Sequence, residues 1–312
     1  MALFPRRYRD ASDYWRARAF FRAMFEYDDR PGGNWHVAEF DYWRWHWLEN
    51  VVERSPDELW LWETEGGELV AVLNQGDPGV CHPHVHPDHR TGVLAAEMIA
   101  TAERDYAAPT RDGCRATCVW TMEDDQLFGS ALAASGFVRQ ADGEHSVEHH
   151  GRRLLSEAVP LVPLPEGFVL RSLGDVDELP KRSLASWRAF HPGEPEDGCD
   201  MTGAWYRNVQ RAPLYRRDLD VVAISPNGDI ASFATCYFDD VSRTGVFVLD
   251  GTASQHWRLG LGKAVMVEAL RRLQWLGATA AYVSWYDAPA GGLYESVGFL
   301  DQRRGRVWVK RS

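Results

Sequence analysis

The sequence has few cysteines, no long apolar run and no excess of positive charge. Its five cysteines are scattered and form no Cys-x-x-Cys pair, which is typical of reduced thiols in the cytoplasm. No apolar run approaches the roughly 20 residues that a membrane helix needs, and the first residues show no signal-peptide pattern. We therefore expect a cytoplasmic protein with no membrane partner.

Charge and length restrict the remaining possibilities. The chain has 34 Lys and Arg against 45 Asp and Glu, a formal net charge of −11. This balance argues against a nucleic-acid partner, because such surfaces need an excess of positive charge. With 312 residues, of which 45% are hydrophobic and 25% charged, the chain exceeds the usual size of one domain. Two globular domains are the expected organisation.

The most informative stretch is residues 246–277. Residues 246–249 are apolar and predict a buried strand, and from Lys263 onward apolar residues recur at helical spacing. The loop between them, residues 258–263, contains two glycines directly before the helix. Such a loop either lets a strand pack tightly against the next helix or presents backbone N–H groups to an anion.

The next elements favour the anion-binding alternative. A second apolar strand is predicted at residues 280–285, and a short helix follows that contains Tyr294 and ends in Gly298-Phe299. This order resembles the GNAT superfamily of acyl-CoA N-acyltransferases, whose phosphate loop reads Q/R-x-x-G-x-G/A and whose later helix commonly ends in Tyr-x-x-x-Gly-Phe. The resemblance covers residues 246–300. It implies an α/β (α+β) fold with a mixed, mostly antiparallel central sheet flanked by helices.

An internal repeat indicates that this fold occurs twice. His89 aligns with His256, strand 117–120 with strand 282–285, and the Gly-Phe run at 136–137 with that at 298–299. A proline-containing linker, residues 158–167, separates the copies. We predict two tandem GNAT domains, 1–158 and 159–312.

The two copies are not equivalent. The first loop, residues 90–95, has one glycine, and Leu132 stands where the second copy has Tyr294. We therefore expect a degenerate N-terminal GNAT-like domain and an acyl-CoA site in the C-terminal domain. Whether the first domain binds CoA or any other ligand stays open.

A histidine-rich run at residues 81–89 suggests two interpretations. Alternating histidines beside a cysteine are used in zinc and copper sites. The run is also typical of a partly exposed strand end. The resemblance places residues 86–90 at the end of a phosphate-loop strand. We expect no metal site.

The resemblance implies a set of acetyl-CoA-binding residues in the second domain. A strand pairs with the pantetheine arm, the loop holds the pyrophosphate, and later residues complete the site. The sequence departs from the family pattern at Trp257, which occupies the motif's Arg/Gln position, and at Ala288, where related sequences often have Asn; these departures weaken the expected activity more than the expected CoA binding. The predicted residues are Val248, Leu249, Asp250, Arg258, Leu259, Gly260, Leu261, Gly262, Lys263, Asp287 and Tyr294.

Two residues are the predicted catalytic groups. Tyr294 stands where the family carries its general-acid tyrosine, although it could also be a packing residue. Asp250 is either the general base or a cap of the loop that follows it. His191, Asp239 and Asp240 are alternative bases, each with a solvated-loop interpretation.

The sequence therefore predicts an N-acyltransferase that moves an acetyl group from acetyl-CoA to an amine of a small molecule by direct attack in the C-terminal domain. The alternative is a CoA-binding or structural relative without turnover. An acidic segment between the first two helices of the second copy is either a solvated loop or a rim that attracts a cationic amine; its carboxylates are Glu194, Glu196, Asp197 and Asp200. Acyl chain length and oligomeric state stay open.

Overall fold

The computed structural model describes residues 2–27, 35–54, 56–110, 112–143 and 145–312. It divides into two compact units. The first contains the chain up to His150, together with Trp285–Asp287 and Gln302–Ser312, and the second contains Gly151–Ser284 and Ala288–Asp301. The predicted boundary at residue 158 stays a prediction, and most of the last strand belongs to the first unit, which the sequence did not indicate.

The first part of the chain alternates helices with strands. Its helices are α1 (Ala11–Tyr27), α2 (Val37–Tyr42), α3 (Gly92–Tyr106) and α4 (Gln126–Ala134). Its strands are β1 (Leu3–Arg7), β2 (Trp60–Thr64), β3 (Leu69–Gln75), β4 (Val80–Val85), β5 (Ala108–Pro109), β6 (Arg115–Met122), β7 (Val138–Arg139) and β8 (Val147–Leu154). A π-helix, Trp43–Val51, continues α2.

The rest of the chain repeats this order. Its helices are α5 (Leu179–Phe190), α6 (Ala204–Gln210), α7 (Leu261–Trp275) and α8 (Ala288–Ser296). Its strands are β9 (Val169–Ser172), β10 (Asp220–Ile224), β11 (Ile230–Asp239), β12 (Thr244–Thr252), β13 (Ala280–Trp285) and β14 (Leu300–Arg311). Helix α6 is the helix that follows the acidic segment, and its residues were not predicted. After Phe299 the chain forms the single long strand β14.

The sheet of the first unit is mixed and mostly antiparallel. Strands β1, β2, β3 and β4 pair antiparallel in sequence order, and β4 then pairs parallel with β6. The C-terminal strand β14 pairs antiparallel with β6, where Val307 faces Trp120. A buried core forms between this sheet and α3, centred on Trp62, Met98 and Phe128.

The second unit has the same pattern. Strands β9, β10, β11 and β12 pair antiparallel, and β12 pairs parallel with β13. The apolar face of α7, which includes Val265 and Leu273, is buried. Gly245 lets the helix pack directly on β12, since a Cβ there would lie 2.5 Å from a Leu273 methyl carbon. Both predicted copies of the mixed sheet are confirmed.

The parallel pair of the second unit creates the opening in which the site lies. Its ladder joins only residues 244–246 to residues 280–282, although β12 continues to Thr252 and β13 to Trp285. Beyond Val246 the two strands therefore no longer pair with each other. The predicted pairing of this edge of β12 with an extended ligand stays a prediction.

Two further expectations can be compared with the structure. All five cysteines are unpaired, in agreement with the prediction of reduced thiols. Within the described ranges, no helix combines the length and apolar character needed to cross a membrane.

Candidate functional site

The N-terminus of α7 forms a cradle of uncapped backbone N–H groups. Gly260, the residue before the helix, has a φ of 78° in the left-handed region, which favours glycine. No side chain caps the helix, and the first backbone bond of the turn runs from Ala264 to Gly260. The N–H groups of Leu261, Gly262 and Lys263 consequently have no acceptor in the described part of the chain. Uncapped N–H groups at the positive end of a helix dipole suit a phosphate.

The corresponding helix N-terminus of the first unit has a side-chain cap. The hydroxyl oxygen of Thr91 accepts a hydrogen bond from the N–H of Leu94 at 3.2 Å and so caps α3. Arg90 forms a salt bridge with Asp125 at 2.6 Å instead of facing solvent alone. The N-terminus of α3 thus already has a side-chain acceptor, and the degenerate character of the first copy stays a prediction.

The loop before the cradle is held by Trp257. Its indole Nε1–H donates to the Thr252 carbonyl at 2.8 Å, although about half of the side chain is exposed. The next residue, Arg258, is exposed and has a φ of 63°. Neither Arg258 nor Lys263 forms an ion pair within the described ranges, so both cations are available to a phosphate.

The two glycines of the loop have different structural roles. No atom lies within 4 Å of a Cβ built on Gly260, so its backbone conformation is the reason for glycine there. A Cβ on Gly262 would lie 3.2 Å from Thr252 Oγ1 and 3.3 Å from Leu293 Cδ2. Gly262 thus permits close packing of α7 against β12 and α8, and its predicted contact with CoA stays a prediction.

The strand next to the cradle contains a bulge. On β11, Thr235 pairs with Leu249, whereas the next residue, Cys236, pairs with Phe247. Val248 is therefore the extra residue of the bulge, which interrupts the regular ladder and re-aims the residues that follow. Val248 and Leu249 lie where β12 no longer pairs with β13, so their position is compatible with the predicted pantetheine contact.

The two predicted catalytic residues are in direct contact. The Tyr294 hydroxyl on α8 donates to the Asp250 carboxylate on β12, at 3.0 Å from Oδ2 and 3.3 Å from Oδ1. Tyr294 itself is 6% exposed. Asp250 and Tyr294 lie on different elements, 44 positions apart in the sequence, and only the fold brings them together.

Burial changes the acidity of Asp250. Loss of water around the carboxyl raises its pKa to about 6, an effect that the hydrogen bond from Tyr294 and the charge of Arg182 partly oppose. A carboxyl group with this pKa is mostly ionised at neutral pH and yet accepts a proton more readily than an ordinary aspartate. This is the property expected of a general base.

The other predicted residues are less well placed. His191 stacks on Trp187 and lies 3.4 Å from Glu194, and the Asp239 carboxylate accepts the backbone N–H of Ser242. Asp240 is exposed. Asp287 belongs to the first compact unit, so its predicted part in the CoA site stays a prediction.

The acidic segment is more structured than its composition indicates. Glu196 forms a salt bridge with Arg188 at 2.6 Å. Asp200 accepts backbone N–H groups from Thr202 and Trp205, which fixes the turn leading into α6. These two carboxylates thus have structural partners, whereas Asp197 is exposed and has none within the described ranges.

A groove of about 310 Å³ lies beside this segment. It is lined by residues of α5 and its following loop and by the turn after β12, including Trp187, His191, Glu194, Ser254 and Gln255. Helix α5 reaches β12 next to Asp250, since a Cβ on Gly251 would lie 3.0 Å from the Ala189 Cβ. The groove is therefore close in structure to the Asp250 end of β12.

The histidine-rich strand of the first unit shows no metal-binding geometry. His84 Nε2 lies 3.1 Å from Asn74 Oδ1, and His82 packs against Trp35 with ring centres 4.9 Å apart. Burial lowers the pKa of His82 to about 4 and that of His84 well below its ordinary value. Across the described ranges, no group of three or more His, Cys, Asp or Glu side chains could hold a metal ion.

Sequence reasoning missed one charged residue near the site. Arg182 on α5 is 0% exposed, and it lies on the buried face of the helix together with Leu179, Ser183 and Ser186. In the sequence, the signal is that Arg182 recurs at helical spacing with the residues of α5 that are buried. That signal alone does not show what the arginine contacts.

Comparison with known proteins gives one sequence relative and several structural ones. No protein-family model matches the sequence. A mycothiol acetyltransferase of Salinispora arenicola (strain CNS-205) is 27% identical over 221 residues, which cover 69% of this chain and 67% of the relative.

Solved structures match nearly the whole chain. A GCN5-related N-acetyltransferase from Sphaerobacter thermophilus has a TM-score of 0.66 at 14% identity, with 99% of this chain and 95% of that chain covered. A tandem GNAT protein from the clavulanic acid biosynthesis pathway has a TM-score of 0.68 at 12% identity, with 99% and 98% covered. The resemblance predicted from residues 246–300 is thus confirmed, and this chain is a protein of the tandem GNAT fold.

Proposed function

We propose that the protein is an N-acyltransferase that transfers an acetyl group from acetyl-CoA to an amine of a small molecule, using the second unit. The contact between Asp250 and Tyr294, close to the uncapped N-terminus of α7, is the observation that carries this proposal. The sequence relative, a mycothiol acetyltransferase, supports the reaction class and a small-molecule acceptor. The five unpaired cysteines support a cytoplasmic location.

The chain's own groups suit a CoA donor. The N–H groups of residues 261–263 would bind pyrophosphate oxygens, with Arg258 and Lys263 as further cations. The unpaired edge of β12 at Val248 and Leu249 would pair with the pantetheine amides. The thioester would then lie next to Asp250 and Tyr294, at the end of the same strand.

A proton balance follows from the contact of the two residues. An acceptor that arrives as an ammonium first releases one proton to solvent; the neutral amine then attacks, its nitrogen forms the new C–N bond, and the C–S bond breaks. Asp250 takes the proton that the nitrogen loses, and Tyr294 supplies a proton to the departing thiolate. Because Tyr294 donates to Asp250, the proton on Asp250 can restore the tyrosine, so no net proton is consumed.

The first test is the binding of acetyl-CoA, measured by calorimetric titration. We expect one molecule per chain, because the second unit has the open cradle and Thr91 closes the first. Gly260→Val should weaken binding at least about tenfold, since a β-branched residue disfavours the left-handed backbone that presents the N–H groups. Gly228→Val is the matched control, because Gly228 also has a positive φ and lies in the β10–β11 turn. A stoichiometry near two, or equal loss in both variants, would contradict the assignment.

Binding alone does not distinguish an enzyme from a CoA-binding relative without turnover. Release of the CoA thiol in the presence of small amines makes that distinction. Binding at one site with no thiol release for any class of amine would favour the non-catalytic alternative.

We further propose that the acceptor is cationic and that the groove beside α5 receives it. Glu194 lines this groove, and Asp197 adds an exposed carboxylate in the same loop. Attraction between exposed charges is screened beyond roughly 8 Å at physiological ionic strength. If these carboxylates guide the amine, kcat/KM should fall as salt is added.

The double variant Glu194→Gln/Asp197→Asn is therefore expected to show a flatter dependence of kcat/KM on salt with unchanged acetyl-CoA affinity. Asp200 is left intact because it holds the turn before α6. The control Glu166→Gln/Asp177→Asn makes the same change of charge at exposed positions elsewhere in the second unit. An unaltered salt slope in the first variant, or a preferred acceptor without positive charge, would refute the cationic assignment.

A further inference from the structure

An arginine from the end of β8 reaches the helix that contains Tyr294. Arg153 precedes the predicted domain boundary at residue 158, yet in the structure it belongs to the second unit. Its Nη1 donates a hydrogen bond to the carbonyl of Val297, the residue that directly follows α8. A side chain outside the predicted second domain therefore contacts the end of the helix on which a predicted catalytic residue lies.

Tyr294 is part of the turn that ends α8. Gly298 has a φ of 86°, and its N–H donates to the Glu295 carbonyl at 2.9 Å. The N–H of Phe299 donates to the carbonyl of Tyr294 itself at 3.0 Å. This pair of bonds around a left-handed glycine is a common way to end a helix. The backbone of Tyr294 is thus fixed by the same turn that Arg153 contacts.

The guanidinium of Arg153 lies directly against this turn. A Cβ built on Gly298 would lie 3.4 Å from both Cζ and Nη1 of Arg153. Partial burial lowers the pKa of Arg153, and no carboxylate forms an ion pair with it in the described part of the chain. The negative end of a helix dipole and the last carbonyls of a helix both favour a cation. The C-terminus of α8 is therefore the group that this charge stabilises.

Helix α8 needs such a contact because its own sequence favours a helix weakly. It has nine residues, and Pro289, Gly291 and Gly292 are among them. Glycine lowers helix stability relative to alanine, and isolated helices shorter than about 12–15 residues are marginal in water. The Tyr294 hydroxyl nevertheless has to stay 3.0 Å from Asp250 Oδ2. Its position therefore depends on contacts that hold the helix in place.

The segment that contains Arg153 is itself fixed within the second unit. Two residues later, the N–H of Leu155 donates to the Thr279 carbonyl at 2.9 Å. The carbonyl of Leu155 accepts a hydrogen bond from Gln274 Nε2 on α7, also at 2.9 Å. Arg153 thus connects the end of α8 to a segment that is bonded to the rest of the unit.

We propose that Arg153 is a positioning residue of the acyl-transfer site, which holds the C-terminus of α8 so that the Tyr294 hydroxyl stays at Asp250. This inference rests on the proposed function, because the position of Tyr294 affects turnover only if the hydroxyl takes part in the reaction. In a purely structural role, Arg153 would contribute to the stability of the fold and nothing to the reaction.

The test compares kcat and acetyl-CoA affinity in variants of the full chain with an accepted amine. Arg153→Met should lower kcat at least about tenfold, because a small displacement of a reacting group has a large effect on rate. Acetyl-CoA affinity should stay within about twofold, since the N-terminus of α7 is unchanged. Arg153→Lys retains the charge and a donor, so its kcat should recover to within about threefold of the parent's. Arg153→Gln is a second neutral variant should Arg153→Met not fold.

Arg243→Met is the matched control. Arg243 donates from Nη2 to the Gly277 carbonyl at 2.6 Å, just beyond the C-terminus of α7, so it is a second arginine at a helix end in the same unit. Its replacement should lower the thermal stability of the fold while kcat, measured well below the unfolding temperature, stays within about threefold of the parent's. Equal losses of kcat in the two methionine variants would overturn the inference.

A second comparison tests whether Arg153 acts through the tyrosine hydroxyl. In the Tyr294→Phe background, Arg153→Met should cause no further loss of kcat, because the group that it positions is already absent. A full additional loss in that background, an unchanged kcat in the neutral variants, or an Arg153→Lys variant as slow as Arg153→Met would leave Arg153 a structural residue. The absence of any turnover in the parent protein would instead refute the proposed function, so the two failures are distinguishable.

Discussion

Replacing Tyr294 by phenylalanine is expected to lower kcat by about 10²–10⁴-fold, the usual contribution of a general acid, while acetyl-CoA affinity changes little. The hydroxyl is the one group removed, and it donates to Asp250 at 3.0 Å from a position on α8 beside the cradle. A donor to a departing thiolate acts mainly in the transition state, so its loss lowers kcat and leaves ground-state binding intact. Steady-state kinetics combined with calorimetric titration of acetyl-CoA measure both quantities.

A matched control separates chemistry from packing. Tyr237 in the same unit is fully buried, and its hydroxyl donates to the Val209 carbonyl at 2.9 Å. Tyr237→Phe should therefore lower the stability of the fold without a comparable loss of kcat. A loss below about threefold in Tyr294→Phe, or equal losses in both variants, would return Tyr294 to a packing role.

The repeated architecture was predictable because local sequence patterns carry it. The glycine loop after one strand, the Gly-Phe run after a short helix and the linker at 158–167 each depend on a few neighbouring residues. His89 and His256, the pair from which the repeat was aligned, each end a short 3-10 helix after the corresponding strand, β4 and β12. Such local features do not depend on which strand or sheet the element pairs with in the folded protein.

The pairing of the last strand, β14, with the sheet of the first unit was not predictable in this way. Strand β14 is rich in arginine, and nothing in residues 300–311 specifies whether they pair within the second unit or with β6 of the first. The pairing partner depends on which sheet edge is free in the folded chain. Helix α6 was missed for a related reason, since its seven residues, Ala204–Gln210, are too few for a clear helical period.

The site was predicted in part. The sequence identified Asp250 and Tyr294 separately, each with a structural alternative, but could not show that one donates a hydrogen bond to the other. Burial was equally hidden, and it is burial that raises the pKa of Asp250 to about 6. The acidic segment shows the opposite limit, because its composition suggested four equivalent carboxylates, whereas Glu196 and Asp200 have local structural partners.

The second large effect is expected from Asp250→Asn. Asparagine has nearly the same shape and can still accept the Tyr294 hydroxyl, but it cannot take a proton from the attacking nitrogen. We expect kcat/KM to fall by about 10²–10⁴-fold. The acidic limb of the pH profile should also disappear, because the group that titrates near pH 6 is gone. Acetyl-CoA titration should show affinity close to that of the parent.

The double variant Asp250→Asn/Tyr294→Phe tests whether the two residues act as a unit. If proton removal and proton supply pass through their shared hydrogen bond, the combined loss should be close to that of the worse single variant, because either substitution already breaks the relay. Independent roles would instead make the two losses multiply. An Asp250→Asn variant that retains the acidic limb, or loses less than about threefold in kcat/KM, would show that Asp250 only fixes the loop after β12 and that the base lies elsewhere. His191, which lines the adjacent groove, would then be the next residue to replace.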